Sequence, residues 1–389
     1  MITAIASASS LAASLNAQPS NVVTERNPVR FSFTVLLVLA SLQLGAANIL
    51  MRPYLQALTP TSVEVLVESD VPGTITVQYG TTPDCGLTAK TESVALTTAS
   101  PVTYVHRIPL RGLAPGTEYY YRAGEGDAFT LLSQFRTGVL PGTPFRFTWV
   151  ADDRDGPDVF DSVMVRAAAA HPLMGLFGGD LCVRPGYAAW KSGFFRPPQV
   201  DFGASVPWVN TPGNHEKWTT NTQAFTHGPA ESATQEYFSF DCGDLHVLVL
   251  NTEIPVGSGS PQYAFAESDL RGSNRIWKAV MLHKPGYCAG GHGEDSSVIA
   301  LTSGVFEKSG VDIVLSGHSH FYQHNVVNGI HHMVIGSAGA PLYDTARAWY
   351  TQKTLKEYNW AVADVTPSSL SLFVYNEHGV PLDTLILNK

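Results

Sequence analysis

The chain has 389 residues, which is enough for two domains. With 44% hydrophobic and 15% charged residues, it has the composition of an ordinary globular protein. Its formal net charge of −9 argues against binding to nucleic acid through a basic face, because proteins that bind nucleic acid in this way collect Lys and Arg.

The N-terminus has the pattern of an export signal. An apolar run over residues 31–44 follows Arg26 and Arg30, and small residues come after it at 45–47. The run is too short for a comfortable membrane span. We therefore predict that residues 1–47 comprise a signal peptide and, before its charged and apolar part, a polar extension that a mis-assigned start codon would explain. The mature chain is then extracytoplasmic, either periplasmic or secreted, or it is anchored if the signal stays uncleaved.

Residues 48–138 are predicted to form an antiparallel β-sandwich. Valines alternate with other residues over 63–67, and apolar residues alternate with polar ones over 75–79. This period-two pattern is typical of half-buried antiparallel strands. The segment 113–119 resembles the turn before a late strand of fibronectin type III domains, in which a tyrosine hydroxyl bonds back to the nearby backbone.

After a linker predicted over residues 139–144, strands and helices alternate along the catalytic region predicted over 145–389. A helix is predicted over residues 157–171, with an apolar face formed by Phe160, Val163, Met164 and Ala167. The C-terminal stretch is again rich in strand patterns. This part of the chain is therefore α/β or α+β in class.

Five polar clusters each follow an apolar run. They are Asp152-Asp153-Arg154, Gly179-Asp180, Gly213-Asn214-His215-Glu216, His283 and Gly317-His318-Ser319-His320. In open α/β sheets, sites form where loops converge beyond the carboxyl ends of strands. Even without Asp153, His215 and Glu216, the clusters supply two carboxylates, one amide oxygen and three imidazoles. Such a donor set can hold two divalent metal ions close together.

Each cluster alone has an ordinary structural explanation. Asp152 and Asp180 are residue types that cap helices and turns, and Asn214 follows a glycine as turn residues often do. A single histidine such as His283 is more often packed or solvated than bound to a metal. The occurrence of all five clusters in one order, each at a strand end, favours a common metal site.

The clusters resemble the motifs of the calcineurin-like metallophosphoesterase superfamily, and with the N-terminal sandwich the chain resembles its purple acid phosphatase branch. The resemblance implies a catalytic domain of two packed mixed β-sheets flanked by helices. It also implies two divalent or trivalent ions, namely Fe, Zn or Mn. By resemblance, one ion is held by Asp152, Asp180 and His320, and the other by Asp180, Asn214, His283 and His318.

Two positions depart from the purple acid phosphatase pattern. Val183 stands where the family has the tyrosine that binds ferric iron, which argues against a stable purple centre. Arg154 stands where some relatives have a metal-binding histidine. Arginine does not bind cations, but its planar fork suits phosphate oxygens. We therefore predict that Arg154 contacts the substrate, the alternative being an arginine held in a salt bridge.

The resemblance implies that the protein hydrolyses phosphate monoesters through attack by a hydroxide that bridges the two metal ions. His215 is then expected to contact the phosphoryl group or protonate the leaving oxygen. Glu216 is expected to orient His215 or its loop. His292, in a glycine-rich loop, matches a family histidine that lines the substrate pocket.

The expected partner is a small phosphate ester, since bound cations can outweigh the negative protein charge at the site. No nucleic-acid-binding face, no membrane span of the mature chain and no particular oligomeric state are predicted. A phosphodiesterase with the same metal core is the alternative enzyme. A different class of function is an adhesion or ligand-binding protein whose sandwich is active and whose second domain is inert.

The chain has four cysteines and no CxxC pair. Cys182 and Cys288 each lie near a predicted metal ligand in sequence, which suggests the hypothesis that they form a disulfide. Unpaired buried cysteines are the alternative.

Overall fold

The computed structural model describes residues 47–229 and 234–389. The apolar run of the predicted signal therefore lies outside the described residues. Within these two ranges, no helix is both long and apolar enough to cross a membrane.

Residues 47–138 contain strands and no helix. The strands are β1 (Tyr54–Gln56), β2 (Ser62–Ser69), β3 (Thr76–Gly80), β4 (Leu87–Lys90), β5 (Ser93–Leu96), β6 (Tyr104–Arg111), β7 (Glu118–Glu125), β8 (Ala128–Phe129) and β9 (Ser133–Arg136). One sheet has the order β1-β2-β6-β5 and the other β4-β3-β7-β8, with β9 also paired to β7. All these pairs are antiparallel.

The alternation of the sequence explains how these two sheets pack. Val63, Val65 and Val67 of β2 share one buried core with Val77 of β3 and Phe135 of β9. The predicted tyrosine corner is present, because the backbone N–H of Ala114 donates to the hydroxyl of Tyr119 at 3.0 Å. The predicted antiparallel sandwich is therefore confirmed.

The rest of the chain contains thirteen strands among the described residues. They are β10 (Phe145–Val150), β11 (Met174–Phe177), β12 (Trp208–Asn210), β13 (Phe238–Cys242), β14 (Leu245–Val249), β15 (Trp277–Met281), β16 (Ile313–Ser316), β17 (Tyr322–Val327), β18 (Ile330–Ile335), β19 (Thr351–Leu355), β20 (Trp360–Val365), β21 (Ser369–Tyr375) and β22 (Pro381–Asn388).

These strands form two mixed sheets. The first has the order β12-β11-β10-β20-β21-β22 and the second β13-β14-β15-β16-β18-β17-β19. In the first sheet β10, β11 and β12 are parallel, and in the second β14, β15, β16 and β18 are parallel. Trp149 and Ala363 of the first sheet share a buried core with Met281 and Leu315 of the second. The predicted fold of two packed mixed sheets is confirmed.

Helices cover the outer faces of the sheets. They are α1 (Pro157–Ala169), α2 (Tyr187–Ala189), α3 (Pro197–Gly203), α4 (Thr220–Phe225), α5 (Pro261–Gly272), α6 (Ser296–Leu301) and α7 (Glu307–Ser309), with π-helical turns at Trp190–Phe194 and Thr302–Phe306. The four residues predicted for the apolar face of α1 are all buried. The helix ends two residues earlier than predicted, because His171 has a positive φ of 50° and Pro172 follows.

Two tyrosine hydroxyls join the sandwich to the mixed sheets. Tyr121 of β7 donates to the carbonyl oxygen of Ala204 at 2.8 Å, and Tyr54 of β1 donates to that of Phe225 at 2.9 Å. Both rings are buried, so these bonds are shielded from water. The division into domains at residues 138 and 145 stays a prediction.

All four cysteines are buried free thiols. The hypothesis of a Cys182–Cys288 disulfide is therefore wrong, and the alternative of unpaired buried cysteines describes the structure. Cys182 packs among the apolar residues of one core, and Cys288 lies in a separate small cluster with Phe321 and Val334.

Candidate metal centre

Five loops meet at one end of the two mixed sheets. The loops after β10, β11 and β12 carry Asp152, Asp180 and Asn214, and the loops after β15 and β16 carry His283 and the His318–His320 pair. The three strands of the first sheet run parallel to one another, as do the two of the second, so each sheet places its polar residues at one edge. The structure therefore brings together every residue predicted to bind metal.

One group of ligand atoms comes from both sheets. Nε2 of His283 lies 3.1 Å from Asn214 Oδ1, 3.3 Å from Asp180 Oδ1 and 3.2 Å from His318 Nδ1. Nδ1 of His283 is 2.8 Å from the carbonyl oxygen of Gly178, which can only accept, so this nitrogen has a proton and Nε2 has the lone pair whenever the ring is neutral. With His318 in the tautomer that leaves Nδ1 unprotonated, four acceptor atoms face one another, and a cation satisfies all four.

A second group consists of Asp152, Asp180 and His320, whose ligand atoms lie within 4.8 Å of one another. Nδ1 of His320 is 2.8 Å from the carbonyl oxygen of Pro341, which leaves the lone pair of Nε2 facing Asp152 Oδ1 at 3.5 Å. Asp152 Oδ1 is buried and has no hydrogen-bond partner among the described residues. An unpaired buried carboxylate oxygen is costly without a cation, so the donor set fits a metal ion.

The backbone at the ligands is strained. Asp152, Asp180 and His318 have φ values of 56°, 55° and 69°, a region that residues other than glycine rarely adopt. Strain of this kind persists where surrounding structure enforces it, and it is common at functional sites. Here it turns each side chain from its strand end towards the shared site.

Glycines in the motifs allow the loops to approach closely. A Cβ at Gly213 would collide with the backbone and carboxylate of Asp180, and a Cβ at Gly317 would collide with the carboxylate of Asp152. The glycines that accompany these motifs are therefore required by the space around the ligands.

Glu216 holds two of the loops close together through hydrogen bonds to its carboxylate. Its Oε1 accepts from the backbone N–H groups of Asp180 at 3.1 Å and Gly213 at 2.7 Å, and its Oε2 accepts from that of Leu181 at 3.2 Å. The side chain is fully buried. Glu216 thus orients the ligand loops, as predicted, but through their backbone and not through the imidazole of His215.

The electrostatic field at the centre favours positive charge. Burial lowers the pKa of His283, but the negative charge of Asp180 outweighs this effect and raises it to about 10. Burial, followed by repulsion from His283, lowers the pKa of His318 to about 2. Burial also raises the pKa of Glu216 above its usual value, with a further contribution from the negative charge of Asp180. A cation at Nε2 of His283 is therefore stabilised, whether it is a proton or a metal ion.

The structure also places the predicted non-ligand residues beside the centre. Nδ1 of His215 is 2.8 Å from the carbonyl oxygen of Val183, so Nε2 is the free atom, 3.7 Å from Asp180 Oδ2. The exposed ring of His292 stacks on that of His318, with centroids 4.2 Å apart. Arg154 contacts Asp155, Asp180 and His320.

Sequence reasoning missed Tyr343, which lies in the loop after β18. Its ring stacks on His320, with centroids 4.1 Å apart, and meets the ring of His292 edge-on at 5.1 Å. The phenol therefore forms a wall beside the second group of ligands. The only available signal was the Gly-Ala-Pro turn just before it, which contains the Pro341 carbonyl that orients His320.

Two packed mixed sheets, with two groups of candidate metal ligands at one edge, form the fold of a metal-dependent phosphoesterase. Comparison with family models agrees with this class. Residues 52–137 match the purple acid phosphatase N-terminal domain, and residues 157–322 match the calcineurin-like phosphoesterase domain. The chain therefore belongs to the calcineurin-like metallophosphoesterase superfamily, with the N-terminal domain of the purple acid phosphatase branch.

Individual proteins agree with this membership. Purple acid phosphatase 21 of Arabidopsis thaliana is 28% identical over 238 residues, covering 56% of this chain and 53% of the plant protein. Human acid phosphatase type 7 is 26% identical over 359 residues, covering 77% of this chain and 81% of its own length. The chain spans only a little over half the length of the plant relatives it matches.

Solved structures share the fold. The purple acid phosphatase PPD1 from yellow lupin (Lupinus luteus) seeds superposes with a TM-score of 0.76 at 19% identity, over 86% of this chain and 74% of the lupin chain. PhoD superposes with a TM-score of 0.63 at 15% identity, over 87% of this chain and 93% of its own.

Proposed function

We propose that the protein is an exported phosphatase that hydrolyses phosphate monoesters at a centre of two metal ions. One ion would be held by Asp152, Asp180 and His320, and the other by Asp180, Asn214, His283 and His318. The observation that carries the proposal is the convergence of lone pairs from both sheets on one point, with the Nδ1 protons of His283 and His320 directed away to backbone carbonyls.

Metal ions bound there supply Lewis acidity, which neutralises charge on a phosphoryl group and lowers the pKa of water. The relatives' names support this role, since one similar plant protein is called an Fe(3+)-Zn(2+) purple acid phosphatase. In this chain Val183 occupies the position of the family's tyrosine ligand, and its side chain packs against the aromatic core beside the centre. We therefore propose Fe, Zn or Mn, without a tyrosinate ligand.

His215 is proposed to donate a proton to the leaving oxygen. Its Nδ1 is engaged by the carbonyl of Val183, which holds the ring with Nε2 towards the centre. Its side chain is 30% exposed, so this nitrogen can exchange protons with solvent and reach a bound ester.

His292 and Tyr343 are proposed to form one wall of the substrate pocket, because their rings stack on those of His318 and His320. Arg154 remains the predicted phosphate contact. Its side chain is only 11% exposed and its contacts are to protein groups, so it must change partners to bind substrate.

Steady-state hydrolysis of p-nitrophenyl phosphate and bis-p-nitrophenyl phosphate tests this function. We expect turnover of the monoester that disappears with a chelator and returns with Zn²⁺, Mn²⁺ or Fe²⁺. Preferential turnover of the diester would favour the phosphodiesterase alternative. Stoichiometric metal without hydrolysis of either ester would overturn the proposal in favour of an inert centre and an active sandwich.

The proposed export depends on residues 1–47, and the proposed catalytic region begins at residue 145. N-terminal sequencing of the mature protein from the medium or periplasm tests the first point. An N-terminus near residue 48 is expected, whereas recovery of the intact chain in the cytoplasmic fraction would contradict export.

A further inference from the structure

Arg154 lies against ligand atoms of one half of the centre. Its Nε is 3.4 Å from Asp180 Oδ2, and its Nη2 is 3.3 Å from His320 Nε2. Its Nη1 donates to Asp155 Oδ2 at 2.7 Å. The guanidinium is therefore held between the loops and not extended into solvent.

These contacts use the electron pairs that a metal ion needs. Because Nδ1 of His320 donates to the Pro341 carbonyl, Nε2 has the only lone pair of that neutral ring. A lone pair accepts an N–H or binds a cation, but it does not do both. Arginine stays charged at any pH at which proteins function, so the side chain has to move before this lone pair is available.

The other half of the centre has no such neighbour. Within residues 47–229 and 234–389, none of its four ligand atoms has a hydrogen bond or ion pair to Lys or Arg. Lys284, next in the chain to His283, is paired with Glu253 at 2.8 Å instead. This half also has four protein donors, whereas the half beside Arg154 has three.

We propose that the charged side chain of Arg154 competes with a metal ion for Asp180 and His320, so that the two metal positions are filled at different metal-ion concentrations. This rests on the proposed function, because it assumes a two-metal centre. The first ion enters the position formed with Asn214, His283 and His318. The second enters only when Arg154 leaves Asp180 Oδ2 and His320 Nε2.

Asp155 gives the displaced guanidinium somewhere to stay. Its carboxylate already accepts from Nη1, and 43% of its side chain is exposed, so it lies at the mouth of the centre. Arg154 can keep this partner while its other two nitrogens turn outward. The same movement frees the fork for a phosphate oxygen, which links metal loading to the predicted substrate contact.

The test is equilibrium dialysis of the chelator-treated full chain against Zn²⁺, with bound zinc counted per chain by elemental analysis. The wild-type isotherm is expected to show two steps. In Arg154→Gln, the second step should move to lower zinc concentration by on the order of 10–100-fold, while the first step stays in place. Arg154→Lys, which keeps a positive charge, should retain more of the difference in zinc concentration between the two steps than Arg154→Gln does.

Arg154→His is an independent second variant, since it removes the fixed charge and adds an imidazole at the position where some relatives bind metal. In this variant too, the second step of the zinc isotherm should move to a lower zinc concentration, towards the first step. Arg271→Ala, which removes an exposed arginine paired with Glu267, is the matched control and should leave both steps unchanged.

The outcomes separate the two proposals. If the wild-type chain hydrolyses p-nitrophenyl phosphate and binds zinc in two steps, but both Arg154→Gln and Arg154→His give the wild-type isotherm, the competition is wrong and the proposed function stands. Wild-type filling in one step also overturns the competition. If the wild-type chain binds no zinc and hydrolyses no ester, the proposed function fails and the inference falls with it.

Discussion

The carboxylate of Glu216 lies beneath Asp180, with Oε1 of Glu216 accepting the backbone N–H of Asp180 at 3.1 Å. The same oxygen accepts from Gly213, so one side chain sets the distance between the loop of Asp180 and the loop of Asn214. Each of these loops contributes a residue to the proposed metal position that includes His283. The placement of these proposed ligands therefore depends on Glu216, which is not itself one of them.

Glu216→Gln tests this dependence. The amide has one acceptor oxygen where the carboxylate has two, so at least one of the backbone N–H groups of Asp180, Gly213 and Leu181 loses its partner. We expect metal affinity to fall by on the order of 10–100-fold, measured by zinc equilibrium dialysis. Glu267→Gln, at a helix position whose side chain is 44% exposed, is the control. Unchanged affinity in Glu216→Gln would show that the loops hold their register without it.

His215→Gln should separate catalysis from metal binding. The imidazole makes no contact that the ligands need, but its Nε2 is the proposed proton donor, so kcat should fall by on the order of 10²–10⁴-fold while metal content is retained. Kinetics with p-nitrophenyl phosphate and elemental analysis measure the two quantities. His378→Gln removes an exposed histidine as control. Loss of metal in His215→Gln would mean that the residue is structural.

Removal of metal should destabilise the folded chain. A ligand that binds only the native state stabilises it by RT ln(1 + [L]/Kd), about 2.7 kcal/mol at a concentration of 100 Kd. The melting temperature should therefore fall with a chelator and rise with added Zn²⁺, measured by calorimetry. In Asp180→Asn, which weakens both positions, the response to zinc should be much smaller. An equal response in both proteins would place the stabilising zinc elsewhere.

His246 should make stability depend on pH far from the metal centre. Burial lowers its pKa, but hydrogen bonds at 2.8 Å to Asp241 and Asp269 outweigh burial and raise it to about 9. Since the folded pKa exceeds the unfolded value of 6.5, the stabilisation is complete below about pH 6.5 and is lost as pH rises through about 9.

The expected loss of unfolding free energy across this window is about 3 kcal/mol, since each pH unit between 6.5 and about 9 contributes about 1.4 kcal/mol. Urea unfolding at a series of pH values should show this slope in the wild type and a flatter profile in His246→Gln. His171→Asn is a suitable control, because His171 is exposed and asparagine tolerates its positive φ. Parallel profiles for the wild type and His246→Gln would refute the assignment.

Tyr121→Phe tests how the sandwich is joined to the mixed sheets. The hydroxyl donates to the carbonyl oxygen of Ala204 and also lies 3.2 Å from that of Pro53. Its loss leaves buried carbonyls without a partner, at a cost of about 1–2 kcal/mol in unfolding free energy. Tyr120→Phe, on the neighbouring half-buried residue, should cost less. Equal losses in the two variants would argue against a specific role for the Tyr121 hydroxyl.

The fold was predictable where the sequence has a simple period. Valine alternation in β2 and the apolar face of α1 both reappear as buried surfaces. The order of the polar clusters identified the loops that meet, because parallel strands place their ends at one edge. The end of α1 was less predictable, since it depends on the positive φ of His171.

Contacts between distant segments could not be read from local pattern. Nothing in the sequence indicates that Tyr343 stacks on His320, because that contact depends on how the loop after β18 folds back. The histidine of the Asp241–His246–Asp269 group lies in an ordinary strand, and its acidic partners come from β13 and α5. Arg154 was identified by its position in a motif, but its contacts with ligand atoms required coordinates.

The residues proposed to bind metal come from two sheets that are not joined by any backbone ladder among the described strands. Asp152, Asp180 and Asn214 follow strands of one layer, and the histidines follow strands of the other. A bound ion would therefore cross-link the two layers, which are otherwise held together by side-chain packing. Sliding of one layer over the other would have to break coordination bonds, so the catalytic geometry and the alignment of the layers would be lost together.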